Sequence, residues 1–171
     1  LNLVNPDLVS KIHDEYKKAG ADVIETNTFG ANRNKLKSHQ LADKVYDINL
    51  KGAQIAKSVA NNEIFVAGSV GPLGMRIEPL GSVSREEARA FFKEQLQGLI
   101  DGGVDLFILE TFVYPEELKE AVKAVREMSQ LPVIAQMTID ESGTSLTGAQ
   151  PEILIKEIES FEPDVIGVNC T

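Results

Sequence analysis

Five short apolar runs, each closing on polar or reactive residues and separated by helical patterns, most limit what this chain can fold into. They lie at residues 21–29, 64–70, 105–112, 131–139 and 164–171. Their β-branched and aromatic content reads as strand. Between them apolar residues recur at three- and four-residue steps, as in Leu41, Val45, Ile48, Ile55 and Val59, or Leu118, Val122, Val125 and Met128. That spacing gives helices one apolar face. Mostly apolar strands alternating with such helices build a parallel sheet covered by helices, an α/β fold.

The punctuation agrees. Asn5 is an N-cap and Pro6 the first residue of an opening helix, with Leu8, Val9, Ile12 and Tyr16 on one face and Gly20 closing it. Ser84-Arg85-Glu86-Glu87 is a capping box. Gly102-Gly103 stops that helix, and Pro115 and Pro151 start two more. Residues 30–40 read as a loop or frayed helix start, and 140–150 as a glycine- and hydroxyl-rich loop. No linker or low-complexity run divides residues 1–171, so they form one domain.

An open doubly wound sheet and a (β/α)8 barrel both satisfy this pattern. A doubly wound dinucleotide binder carries Gly-x-Gly-x-x-Gly after its first strand, where this chain has Phe29-Gly30-Ala31-Asn32. All five strands instead end in chemistry: Glu25 to Thr28, Ser69, Glu110 and Thr111, Gln136 and Thr138, Asn169 and Cys170. A barrel collects its active site from such carboxyl ends. Five strands fall short of its eight, so the expectation is a partial TIM barrel.

Composition excludes several functions. A net charge of −9 repels nucleic acid and anionic membrane surfaces. No apolar run approaches the ~20 residues of a membrane helix. A single cysteine makes no internal disulfide and fits a reducing compartment, so the expected location is cytoplasmic.

The run Gly20-Ala21-Asp22-Val23-Ile24-Glu25-Thr26-Asn27-Thr28-Phe29 resembles the homocysteine S-methyltransferase family. Further segments follow in order: Ala67-Gly68-Ser69-Val70-Gly71-Pro72, Glu78-Pro79-Leu80-Gly81, residues 105–112, Ser145-Leu146-Thr147-Gly148 and Ile166-Gly167-Val168-Asn169-Cys170. The resemblance spans the whole chain. It implies a (β/α)8 barrel that binds zinc through three cysteines, places homocysteine sulfur in the remaining position and methylates it to methionine. The chemistry is sound, because only a thiolate is nucleophilic and zinc deprotonates a bound thiol at neutral pH.

Residue by residue, Cys170 matches the family's first zinc cysteine. Glu110 would hold the homocysteine amino group by a charge-assisted hydrogen bond. Asn27, Thr28, Ser69 and Asn169 are candidate substrate contacts. The bland readings stand beside these: Cys170 as a small buried core residue, Glu110 paired with a rim lysine or arginine, and the others bonded to neighbouring strand ends. Asn169 is a candidate only through its adjacency to Cys170. His13, on an outer helix, and His39, in a polar loop, read as solvated, as do Arg33 and Lys35.

On the same resemblance residues 1–171 correspond to strands two to six. The family's opening Asp-Gly-Ala-Met-Gly-Thr strand and its later adjacent cysteine pair have no counterpart. One thiolate is too few for a zinc site, so this stretch alone is expected to be inactive and to self-associate through open sheet edges. Methylcobalamin, a methylfolate, betaine and S-methylmethionine all stay open as methyl donors. Two other readings remain: a noncatalytic α/β module, or an unrelated barrel enzyme such as an aldolase. The aldolase needs a strand-end lysine, and no strand here ends in one.

Overall fold

The computed structural model describes residues 1–141, 143–146 and 148–170. Thr147 of the Ser145–Gly148 segment, and Thr171, to which the sequence carries the last strand, lie outside them. The chain runs α1 (Pro6–Lys18), β1 (Val23–Glu25), α2 (Arg33–Lys37), α3 (Val45–Ala60), β2 (Phe65–Val70), α4 (Arg85–Asp101), β3 (Leu106–Phe112), α5 (Pro115–Met128), β4 (Val133–Met137), α6 (Pro151–Glu159) and β5 (Val165–Val168).

All neighbouring strands are parallel, and their spatial order is β1-β2-β3-β4-β5, the chain order. A doubly wound sheet must reverse direction at a switch point. Here each crossover steps the same way, and because such crossovers are right-handed every helix falls on one face. α3 packs on α4, α4 on α5 and α5 on α6 around the outside. This is the wall of a (β/α)8 barrel, five strands wide among the described residues.

Alternation along each strand separates the two faces. Val66, Val70, Phe107, Leu109, Val133, Ala135 and Met137 are fully buried toward the helices. The opposite, inner face receives Glu25, Ala67, Ser69, Ile108, Glu110 and Gln136. Val23, Phe65 and Val165, at the amino ends of their strands, stay exposed there. Gly68 belongs to the helix side, where an added Cβ would press on Leu99 and Phe107.

Local signals place most helix ends. Ser84 accepts from the Glu87 N–H while Glu87 accepts from the Ser84 N–H, so the capping box forms as read. Asn5 caps α1, accepting from the Leu8 N–H at 3.3 Å. Two readings need correction. The first strand spans only Val23–Glu25, because the chain then curls, the Thr28 N–H bonding back to the Thr26 carbonyl at 2.8 Å. His13 is not solvated: it is 7% exposed on α1, its Nε2 has no partner, and burial lowers its pKa.

The helix layer also buries charge. The Glu120 side chain, wholly inaccessible on α5, accepts from Arg89 of α4 at 2.6 and 2.9 Å and from Lys123 at 3.0 Å. Arg89 continues to Glu127 at 2.9 Å. Removing one partner of a buried pair strands the other's charge, a larger loss than the pair's net worth. Arg89→Ala is therefore expected to lose about 3 kcal/mol in urea unfolding, with Lys123 limiting the damage. A loss near the ~0.5 kcal/mol of a surface pair would contradict this reading.

Candidate active-site cleft

The residues that end β1, β2 and β3 meet on the inner face through a web of hydroxyls. Thr28 Oγ1 donates to the Ser69 carbonyl at 2.8 Å, and the Ser69 N–H donates to Thr26 Oγ1 at 3.0 Å. The two threonine hydroxyls lie 2.6 Å apart. Each hydroxyl has one proton, so Thr26 donates to Thr28. Gln95 of α4 closes the web by donating to the Thr28 carbonyl at 2.8 Å. The Phe29 ring then lies on Gly71, where an added Cβ would come within 2.2 Å of it. A larger residue there would have to displace the ring.

Ser69 Oγ donates outward to Glu110 Oε1 at 2.6 Å. Glu110 stands where β3 gains one residue on β4: Leu109 pairs with Ala135, but Phe112 pairs with Met137. This bulge puts Thr111 at φ +64°, in the left-handed region that β-branched residues avoid. It returns Phe112 to the core, fully buried 6.1 Å from the Phe92 ring, while Glu110 keeps the inner face. Asn169 reaches across from the end of β5, its Nδ2 3.4 Å from Glu110 Oε2. Glu25 completes the group beside the Glu110 carboxyl; desolvation first, then the charge of Glu110, raises the Glu25 pKa.

These groups surround a cleft of about 320 Å³, within the size range of small-molecule sites. Asn27, Thr28, Ser69, Glu110 and Cys170 all line it, and Asn169 is bonded to its wall. The sequence candidates are thus brought together, in unequal roles. Cys170 is exposed, at φ +57°, which removes the buried-core alternative. Thr28 is 2% exposed with its hydroxyl committed to Ser69. Asn27 is tied to Asn2 by two hydrogen bonds of 2.9 Å. Ser69 spends its hydroxyl on Glu110 rather than on the solvent side of the cleft.

Glu25, Thr26 and Thr111, read from the sequence only as polar strand ends, join the site, and so does Asn2, which was not read at all. A carboxylate in the run Val23-Ile24-Glu25 was signal enough for the first. Nothing local marks the left-handed turn at Thr111. Arg33 is exposed, as read, while Lys35 is half-buried. Arg33 pairs with Glu94, and the Lys35 ammonium sits 4.6 Å from the Phe29 ring centroid.

The site joins strand ends of a barrel wall, the usual seat of a barrel enzyme's chemistry. The comparisons with known proteins give that class a family. The homocysteine S-methyltransferase family model matches residues 1–171. Methionine synthase of Mycobacterium leprae is 36% identical over 181 residues, and that of Mycobacterium tuberculosis 35%. Each alignment covers 99% of this chain and 15% of the relative, so the chain spans a small part of those proteins. The metallated form of the homocysteine methyltransferase MmuM from Escherichia coli superposes with a TM-score of 0.85 at 22% identity, over 99% of this chain and 65% of that one. The carboxyl transferase domain of Rhizobium etli pyruvate carboxylase, at TM-score 0.58 and 11% identity, shares the fold over 95% of this chain and 24% of its own. This chain belongs to the homocysteine S-methyltransferase family.

Beside the cleft, Glu117 of α5 anchors the loop that follows β2, accepting from the Leu73 N–H at 2.7 Å. Burial pushes its pKa up to about 7, against the opposing pull of that bond and of Lys35. A carboxyl raised in the folded state is most stabilising while protonated in both states. Stability contributed here is full below about pH 4.5 and is lost as pH rises to about 7, a change of about 3 kcal/mol. Glu117→Gln is expected to gain about that much on the wild type between urea unfolding at pH 4.5 and at pH 8. A constant difference across that range would contradict the assignment.

Proposed function

We propose that the cleft binds homocysteine and that the protein containing it transfers a methyl group to the homocysteine sulfur, giving methionine. One observation carries the reading within this family: a carboxylate, Glu110, oriented by Ser69 and Asn169, shares one cleft with the exposed thiol of Cys170. Glu110 offers an oriented acceptor for the substrate ammonium, a charge-assisted bond of the stronger kind. Glu25 adds a second carboxyl beside it. Asn27 and Thr28 shape the opposite side. In the transfer itself the homocysteine thiol first gives up its proton to solvent, and the lone pair of the resulting thiolate forms the new S–CH3 bond. The bond between methyl and donor breaks, and its electron pair leaves with the donor. Of the four donors left open by the sequence, methylcobalamin or a methylfolate is the one proposed, on the likeness to the two methionine synthases.

A zinc centre needs three or four protein donors. The chain holds one cysteine, and among the described residues no three His, Cys, Asp or Glu side chains converge on a common point. These residues do not by themselves fit the metal, and no step is routed through it; Cys170 is the one ligand we propose from them. Among the described residues no helix is long and apolar enough to cross a membrane.

The test is methionine formation by the full-length protein bearing this sequence. Glu110→Gln keeps the shape and removes the charge, so KM for homocysteine is expected to rise about 30- to 100-fold, with a smaller change in kcat. An unchanged KM, or no homocysteine methylation by the wild type with any of the donors above, would overturn the reading.

A further inference from the structure

One side-chain amide at the cleft joins two strands that are not neighbours. β4 lies between β3 and β5. Even so, Asn169 Oδ1 accepts from the Thr111 N–H at 2.8 Å, and Asn169 Nδ2 donates to Thr111 Oγ1 at 2.9 Å. The Asn169 N–H is itself held by the Met137 carbonyl of β4 at 3.2 Å. The bulge turns the Thr111 N–H away from the ladder, and an amide side chain supplies the acceptor that β4 does not. A β-branched residue persists at positive φ only where its surroundings hold it, and this two-point pairing is what holds Thr111. The second Asn169 N–H points toward Glu110 at 3.4 Å. Little of the amide is left for a substrate.

The two partners also sit next to the two groups that matter chemically. Thr111 follows Glu110, and Asn169 precedes Cys170, itself at positive φ. We propose that the Asn169–Thr111 pair is a positioning clamp that fixes the Glu110 carboxylate relative to the Cys170 thiol and thereby sets substrate affinity without touching substrate. The clamp is a property of the fold; its kinetic consequence rests on the homocysteine reading above.

Two measurements separate those levels. Amide hydrogen exchange on the wild-type protein is expected to show Thr111 protected. In Asn169→Ala it should exchange at least about tenfold faster, while Phe107 and Leu109 of the same strand keep their protection. An unprotected Thr111 amide in the wild type overturns the clamp whatever the protein's activity. In the kinetic arm, Thr111→Ala and Asn169→Ala should each raise KM for homocysteine about tenfold. The double variant should lose no more than Asn169→Ala alone, because Thr111→Ala removes only the hydroxyl point of a pairing that Asn169→Ala removes whole. Thr111→Ser, which keeps the hydroxyl, should recover most of the loss. A direct substrate contact by Asn169 predicts a different pattern, in which Asn169→Ala raises KM and Thr111→Ala leaves it alone. That pattern, or additive losses, would overturn the proposal. If the wild type turns over no homocysteine, the functional reading fails, and the exchange experiment alone decides the clamp.

Discussion

Between Leu109 and Phe112, β3 carries one residue more than β4 can match, and the site depends on that surplus. A regular strand would turn Leu109 to the helices, Glu110 to the inner face and Thr111 to the helices, and would leave Phe112 on the inner face. The bulge lets Glu110 face the cleft and still returns Phe112 to the core against Phe92. Its requirement is a threonine at positive φ, held from across the sheet by Asn169. The cleft carboxylate, the core packing of β3 and the placing of the β5 terminus are therefore one problem with one solution.

The rest of the molecule supplies a rigid frame for that solution. Parallel strands in chain order bring their carboxyl ends to one rim. Hydroxyls of Thr26 and Thr28 and the Ser69 backbone lock the ends of β1 and β2 together before Ser69 turns its own hydroxyl to Glu110. On the outer side Glu120, Arg89 and Lys123 join α4 to α5 through desolvated charge. Glu117 fixes the loop beside the cleft at a pKa near neutrality. Buried polar groups thus carry much of the specification, each through partners on a different element.

What was legible in the sequence follows from range. The Ser84–Glu87 capping box, the Asn5 cap and the proline helix starts act within one turn and form as read. Strand polarity was visible because each strand ends in polar residues, and that also gathered Asn27, Ser69, Glu110 and Cys170 into one cleft. His13 was misread because helical spacing locates a face but not the strand edge it packs against. Its ring sits with Val9 and Ile12 along β1, in a cavity of about 490 Å³. The bulge at Thr111 with its pairing to Asn169, the role of Asn2 and the proximity of Glu25 to Glu110 depend on register and on contacts between distant positions. No short window of sequence contains them.

The central claim is that a fixed carboxylate reads the amino group of a small thiol substrate. Calorimetric titration of the full-length protein with homocysteine and with 4-mercaptobutanoate, which lacks only that amino group, tests it most directly. Losing a hydrogen bond to a charged acceptor is worth about 2–3 kcal/mol, so the analogue should bind about 30- to 100-fold more weakly. Equal affinity for the two thiols would contradict the account.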